Sequence, residues 1–313
     1  MNQFPIENID MTLRFGEVPS GAEPFVVAGM FTPSHGRLAK RLASSLRTQR
    51  LPHLIFEVPT VHRSISPRGT MDLTYAKPNF IWHVMGIAKR PVLYLDVDCV
   101  VQSPPKLIFS LANEGCDFSI LNWLALEDND AYRRWIGKRE LMPNGISQHV
   151  YMFSHRISWE SKDQLICSGA AQFWNNSDSA RRLLAAWFET IKSQELVADD
   201  QCLDFAFNNN INGSRDNLNA GWLPKSYARY AWWIFDKPVI DHPEFPNSSA
   251  DWKQIADPKG RERFRASACN ARANAPVLPE NQLLDARSGR LLEFHNYRYV
   301  DVGKLNQPVW VAL

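Results

Sequence analysis

The sequence lacks the cysteine patterns that stabilise small secreted domains or hold structural zinc. Its five cysteines are an odd number, are widely spaced and include no C-x-x-C pair. Disulfide frameworks need paired cysteines in an oxidising compartment, and zinc sites need closely spaced ones. The composition therefore predicts free, buried thiols in a reducing compartment. These thiols are Cys99, Cys116, Cys167, Cys202 and Cys269.

Long apolar runs and a strong net charge are also missing. No stretch approaches the roughly 18 apolar residues that a membrane helix needs. The first ten residues contain neither the basic segment nor the apolar segment of a signal peptide. The net charge is +2 and the pI about 8.2, which is too mild to indicate nucleic acid or an anionic membrane as partner. We therefore expect a soluble cytoplasmic protein with no membrane span.

Apolar strands alternate with amphipathic helices along the chain. The 313 residues, 45% of them hydrophobic, are enough for a sizeable core. Phe25–Met30 reads as a buried strand, Leu38, Leu42 and Leu46 recur at helical spacing, and His53–Val58 reads as the next strand. Such alternation predicts an α/β fold with a parallel sheet.

Two carboxylates interrupt the most apolar strand. The segment Val92–Val101 reads V-L-Y-L-D-V-D-C-V-V, with Asp96 and Asp98 as its only charges. Desolvating an unpaired carboxylate costs several kcal/mol, so the pair requires a cation, several donors or an open cleft. Open parallel sheets bind ligands beyond the carboxyl ends of their strands. The pattern favours a metal or catalytic role over a merely solvated pair.

Three further positions carry candidate site residues. His242 follows an apolar strand-like run, a place that favours a metal ligand over the capped surface or core role of most lone histidines, and imidazole is a ligand that Mn²⁺ accepts beside carboxylates. Lys77 precedes a helix, where it can reach a phosphate or an acid or remain a solvated charge. Ser168 and Gly169 lie in the strand-like run Leu165–Trp174, and a glycine within a strand often marks close approach by a ligand.

Taken in order, these segments resemble a known enzyme family. The runs that carry the resemblance are F-V-V-A-G-M-F-T-P, K-P before a helix, L-Y-L-D-V-D, C-S-G-A-A-Q-F-W-N-N, D-D-Q and P-V-I-D-H. They are similar to the nucleotide-diphospho-sugar transferases of the GT-A fold, closest to the branch with glycogenin-like and plant cell-wall retaining enzymes. The resemblance covers about residues 24–245. It implies a Rossmann-like, mostly parallel central sheet flanked by helices.

The resemblance also implies roles for individual residues. Asp96 and Asp98, with His242 as third ligand, would hold Mn²⁺ or Mg²⁺ against the diphosphate of a nucleotide-sugar donor, with a UDP-sugar as the first candidate. The acceptor would be a hydroxyl group on a glycan, protein, small molecule or modified nucleic acid. The remaining donor-binding residues would be Phe31 and Thr32 at the nucleotide, Lys77 near the phosphates or sugar, Ser168 and Gly169 beside the sugar, and Gln201.

The catalytic assignment falls on Asp199 and Asp200. An inverting enzyme needs a carboxylate base, which either residue can supply. A retaining enzyme can use Asp200 to position the sugar, and the resemblance favours retention. The sequence departs from the glycogenin-like branch after His242, where P-E-F-P-N replaces that branch's Gly-x-x-Lys-Pro motif. Clamping of the donor by a late lysine is therefore not expected.

The predicted organisation is one GT-A domain over residues 1–245 and a C-terminal extension over 246–313. A charged stretch without clear periodicity, at about 127–162, reads as a loop-rich insertion.

Two alternatives compete with glycosyl transfer. A haloacid-dehalogenase-type phosphatase would use Asp96 as nucleophile and Asp98 as proton donor, with Asp199, Asp200 and Asp204 around Mg²⁺. That fold normally begins with its D-x-D strand, whereas a complete βαβ unit precedes it here. The second alternative is a non-catalytic sugar- or nucleic-acid-binding module, since basic residues recur around 261–272.

Overall fold

The computed structural model describes most of the first 242 residues and four short strands near the C-terminus. The described ranges are 11–17, 23–58, 73–125, 164–193, 199–230, 238–242, 282–284, 291–293, 297–300 and 309–312. The predicted insertion, the basic segment around 261–272 and Cys269 lie outside them. The four cysteines within them are free and buried, as the composition predicts. Among the described helices, none has both the length and the apolar character that crossing a membrane requires.

Within these ranges the chain forms five α-helices and fourteen strands. The helices are α1 (Gly36–Thr48), α2 (Lys77–Ala88), α3 (Lys106–Asn113), α4 (Asp178–Ser193) and α5 (Asp199–Asn208). The strands are β1 (Thr12–Glu17), β2 (Val26–Phe31), β3 (His53–Glu57), β4 (Val92–Leu95), β5 (Val100–Val101), β6 (Phe118–Asn122), β7 (Cys167–Trp174), β8 (Ala220–Trp222), β9 (Arg229–Tyr230), β10 (Ile240–His242), β11 (Gln282–Leu284), β12 (Leu291–Glu293), β13 (Tyr297–Val300) and β14 (Val309–Ala312). These elements make a mixed α/β fold with a mostly parallel central sheet flanked by helices, which confirms the predicted class.

The described residues group into two compact units. The β2 unit contains β1 to β3, α1, the turn after β4, and β5, β9 and β10. Its larger set of strands has the order β1-β3-β2, with β2 parallel and β1 antiparallel to β3. Helix α1 buries Leu38, Leu42 and Leu46, the leucines that its spacing predicts to be apolar contacts.

The β7 unit contains α2, most of β4 and α3, and then β6, β7, α4, α5 and β8. Its strands have the order β4-β7-β6-β8, with β6 antiparallel to β7 and parallel to β8. Helix α4 buries one face, which includes Leu183, Leu184, Trp187 and Ile191. The tryptophans of β7 and α4, Trp174 and Trp187, are wholly buried and fill this core.

The structure corrects one local prediction. The apolar run Val92–Val101 is not a single strand, because β4 ends at Leu95 and β5 begins only at Val100. The backbone N–H of Cys99 donates to the carbonyl of Asp96 at 2.9 Å, which closes a tight turn between the strands. Asp96 and Asp98 therefore lie on a turn between two strands, where Asp96 is half-buried and Asp98 is buried.

Candidate functional site

An arginine side chain and a close approach of β2 fix the turn that carries the two carboxylates. Arg41 on α1 donates from Nη2 to the carbonyl of Asp98 at 2.8 Å. Gly29 on β2 lies against the start of the turn. A Cβ atom at that glycine would come within 3.0 Å of the Leu95 carbonyl oxygen and 3.5 Å of the Val97 side chain. The turn is thus held by α1 and by close approach of β2.

A short ladder of strands brings His242 to the same turn. Strand β10 pairs antiparallel with β5, so that Ile240 faces Val101 and Asp241 faces Val100. The next residue on β10 is His242, whose Nε2 lies 3.1 Å from Oδ2 of Asp98 although 144 positions separate the two residues.

The resulting group of Asp96, Asp98 and His242, here called the metal-type cluster, offers three ligand atoms within 4.8 Å of one another. Two donors about 2.1 Å from one octahedral cation, at right angles, lie about 3.0 Å apart, which matches the contact between His242 and Asp98. Asp98 is only 8% exposed, and its Oδ1 is buried with no hydrogen-bond partner. A buried carboxylate oxygen without a partner is unfavourable, and a bound cation would satisfy it. The donor set suits Mn²⁺ or Mg²⁺, so the residues fit the ion.

Electrostatics keep Asp98 ionised. Burial alone would raise its pKa, but the charge and hydrogen bond of His242, together with the charge of Arg41, outweigh burial and leave the pKa below its ordinary value. An ionised carboxylate is the form that binds a cation.

A second group of charged residues lies in the β7 unit. Lys77, at the first turn of α2, is 4% exposed, and its Nζ lies 3.1 Å from Oδ2 of Asp199 at the start of α5. The same Nζ donates to the carbonyl of Gly169 at 3.4 Å and lies 5.7 Å from the ring centre of Tyr94. Of the roles that the sequence leaves open for this lysine, the structure shows a buried ion pair with an acid and excludes the solvated charge.

Two more carboxylates complete this group, here called the acidic cluster: Lys77, Asp199, Asp200 and Asp204. Burial and then the charge of Asp199 raise the pKa of Asp200 to about 7, against the opposing charge of Lys77. Burial and the charge of Asp200 raise the pKa of Asp204 well above its ordinary value. The pKa values of Asp200 and Asp204 are thus both raised, as is common at acid–base sites.

Side chains fix the segment that leads into β7. Three consecutive backbone N–H groups, those of residues 165 to 167, donate to side-chain oxygens of Asn208 (2.7 Å), Asn122 (3.1 Å) and Asp204 (2.8 Å). Asn208 also donates to the carbonyl of Leu165 at 2.8 Å. Because Asp204 and Asn208 lie on one face of α5, they tie that helix to the entry of β7, directly before Ser168 and Gly169.

The structure places the other predicted site residues as follows. Phe31 ends β2, is 2% exposed and packs 6.2 Å from the ring of Phe15. Thr32 does not cap the following turn through its side chain but contacts His35, with 2.8 Å between Oγ1 and Nδ1. Gln201 donates its backbone N–H to Oδ1 of Asp200 at 2.8 Å. Ser168 is buried in β7.

Three residues that lie in or next to these two clusters were not predicted from the sequence as site residues of a glycosyltransferase. Arg41 looks like any of the basic residues on α1, and no pattern distinguishes the one that binds the turn. Asp204 follows Asp200 by four positions, a spacing that puts both on one helix face and offers a signal. Gln172 sits among apolar residues of β7, where a lone amide is itself the signal.

Comparison with known proteins places this chain near glycosyltransferases of solved structure. Neither a protein-family model nor a curated protein matches. The bifunctional glycosyltransferase WbbM in its apo form has a TM-score of 0.46 and 10% identity over 80% of this chain and 45% of that one. The galactosyltransferase LgtC, in complex with donor and acceptor sugar analogs, has a TM-score of 0.42 and 10% identity over 82% of this chain and 98% of that one.

Mouse xyloside xylosyltransferase 1 in its apo form has a TM-score of 0.41 and 12% identity over 70% of this chain and 97% of that one. The chain thus spans less than half of WbbM and nearly all of the other two. These neighbours belong to the enzyme class that the sequence resembles. With such identities and TM-scores they show a likeness of fold only.

Proposed function

We propose that this protein is a metal-dependent glycosyltransferase that moves a sugar from a nucleoside diphosphate, UDP first among candidates, to a hydroxyl group in the cytoplasm. The observation that carries the proposal is the metal-type cluster, with its two carboxylates, one imidazole and a buried, unpartnered oxygen on Asp98. Carboxylates and imidazole are ligands that Mn²⁺ accepts, and a bound cation would satisfy the buried oxygen of Asp98.

The metal-type cluster would hold Mn²⁺ or Mg²⁺. When bound, the ion supplies Lewis-acid stabilisation of the negative charge on the departing diphosphate. Asp98 contributes an ionised oxygen, Arg41 keeps the turn in place through the carbonyl of Asp98, and β10 presents His242.

The acidic cluster would serve the sugar and the acceptor. Asp199 is engaged by Lys77, so its carboxylate is fixed in place and suited to orienting hydroxyl groups. Asp200, with a pKa of about 7, suits proton exchange near neutral pH, because a general base works best when its pKa lies near the operating pH. Retention at the anomeric carbon is proposed from the family resemblance, and the anomeric coupling constant of the product in proton NMR tests it.

The first experiment is nucleoside diphosphate release from a panel of UDP-, GDP- and other nucleotide sugars, with Mn²⁺ and with EDTA. We expect one donor to turn over with Mn²⁺, EDTA to abolish turnover, and Asp98→Ala to reduce it at least a hundredfold. The matched control is Asp241→Asn, which removes an acid one residue from His242, on the opposite face of β10. We expect it to keep wild-type turnover.

Binding is measured alongside turnover. Mn²⁺ titration calorimetry should show one site in the wild type and in Asp241→Asn, and none in Asp98→Ala. Cleavage of a generic phosphomonoester without turnover of any donor would contradict the proposal in favour of a phosphatase. Donor or nucleic-acid binding without any turnover would favour a binding module.

A further inference from the structure

Strand β7 carries an irregularity beside the acidic cluster. In its register with β6, Gln172 faces Ile120, whereas the next residue of β6, Leu121, faces Ser168. The residues between, Gly169 to Ala171, therefore have no register partner on β6. Extra residues of this kind bend a strand and redirect its side chains, and they are common beside active sites.

The bulge places Gly169 in close contact with the acidic cluster. A Cβ atom at Gly169 would lie 3.3 Å from Nζ of Lys77, 3.6 Å from Cβ of Asp200 and 3.9 Å from Oδ2 of Asp199. The carbonyl of Gly169 accepts from Nζ of Lys77. The bulge thus bonds to the lysine and lies directly beside the two acids.

One buried amide holds the bulge in this conformation. Gln172 is wholly buried, donates from Nε2 to the carbonyl of Gly169 at 2.9 Å and accepts at Oε1 from the indole N–H of Trp174 at 3.0 Å. Only one orientation of the amide satisfies both partners, because the carbonyl accepts and the indole donates.

A second indole, that of Trp187, links Trp174 to the start of α5. Trp174 stacks on Trp187, with ring centres 6.1 Å apart and planes within 10°. The indole N–H of Trp187 donates to the backbone carbonyl of Asp199 at 2.7 Å. The two stacked rings therefore bond to both elements that meet at the acidic cluster. Trp174 bonds to the bulge of β7 through Gln172, and Trp187 bonds to α5 through Asp199.

We propose that Gln172 is a positioning residue for the acidic cluster, which keeps Lys77, Asp199 and Asp200 in their reactive arrangement by holding the carbonyl of Gly169. The catalytic part of this inference rests on the proposed function. An apolar side chain of the same length would fill the space without the cost of burying an amide, so packing alone does not account for Gln172. Misplacement of a reacting group by about 1 Å can cost a hundredfold in rate.

The test compares Gln172→Met, which keeps the length of the side chain, with Gln172→Glu, which cannot donate to Gly169 when ionised. Trp174→Phe removes only the indole donor. The control is Ile120→Val, a core truncation at the register partner of Gln172.

We expect both Gln172 variants to lower kcat for donor turnover ten- to a hundredfold with unchanged Mn²⁺ affinity, and we expect Trp174→Phe to lower kcat about threefold. Ile120→Val should stay within twofold of wild type.

A readout without substrate separates this inference from the proposed function. The pKa of Asp200 is followed by carbon-13 NMR in wild type and Gln172→Met. Because Lys77 lowers this pKa, release of the lysine in Gln172→Met should shift the pKa of Asp200 upward.

If the wild type turns over no donor, the proposed function fails, and the Asp200 titration alone then tests whether Gln172 positions the acidic cluster. An unchanged Asp200 titration, a wild-type kcat in the Gln172 variants, or an equal loss in Ile120→Val would overturn the inference. If Gln172→Met does not fold, Gln172→Glu and Trp174→Phe decide by the same measurements.

Discussion

Adjacent aspartates at the start of α5 have different surroundings and therefore different chemistry. Asp199 forms a buried ion pair with Lys77. Asp200 instead accepts a hydrogen bond from the backbone N–H of Gln201, and the negative charge of Asp199 raises its pKa. The consequence is that an ion-paired carboxylate lies beside a carboxyl group that titrates near neutrality. Carboxyl groups with raised pKa values are common at acid–base sites.

The raised pKa of Asp200 makes a prediction for stability. Between the ordinary value of 3.8 and about 7, this carboxyl group is ionised in the unfolded chain but protonated in the folded one. The folded state binds more protons, so its contribution to the free energy of unfolding falls as pH rises through this window and then stays low. Asp200→Asn removes the effect. We expect the variant to gain stability relative to wild type between pH 4.5 and pH 8, measured by urea unfolding.

The comparison variant is Glu189→Gln, which removes an exposed acid on α4. An exposed ion pair contributes little, so this variant should track the wild type. Equal differences between wild type and Asp200→Asn at both pH values would contradict the predicted titration.

At the scale of elements, the turn between β4 and β5 depends on the close approach of β2. Gly29→Val places a branched side chain where only 3.0 Å separates a Cβ position from the Leu95 carbonyl. We expect a loss of about 1–3 kcal/mol in the free energy of unfolding and at least tenfold weaker Mn²⁺ binding, because the turn carrying Asp98 must move. Urea unfolding and calorimetry measure the two effects.

The control for this substitution is Gly86→Ala. Gly86 is exposed within α2 and has nothing within 4 Å of its Cβ position. Alanine there should stabilise the protein by about 0.5–1 kcal/mol through helix propensity, with Mn²⁺ affinity unchanged. Wild-type Mn²⁺ affinity in Gly29→Val would show that β2 does not support the turn.

At the scale of the whole molecule, a bound cation should protect one region selectively. Mn²⁺ at a hundred times its Kd stabilises the state that binds it by about 2.7 kcal/mol. In hydrogen exchange with mass spectrometry, we expect the largest gain of protection in peptides that contain the Asp96–Cys99 turn and β10. The gain should vanish in Asp98→Asn. Protection confined to peptides of the β7 unit would contradict binding at the metal-type cluster.

The sequence was informative where a signal is local and uninformative where it depends on distant contacts. The α/β class followed from apolar strands alternating with helices, and free thiols followed from cysteine spacing. The turn at Asp96 was hidden inside an apolar run, because Val100 and Val101 join a different sheet through pairing with β10. Arg41 acts through a backbone carbonyl of another segment, and composition carries no trace of such a bond. Gln172 bonds within its own strand, where the lone amide among apolar residues is a local signal.

The stacked indoles of Trp174 and Trp187 also give the protein an optical signature. Two stacked chromophores with centres 6.1 Å apart lie close enough to couple their electronic transitions, so we expect Trp174→Phe to change the near-ultraviolet circular dichroism of the protein. Both rings bond to groups next to the acidic cluster. This signal is therefore expected to follow the assembly of that cluster during refolding, and its measurement needs no substrate.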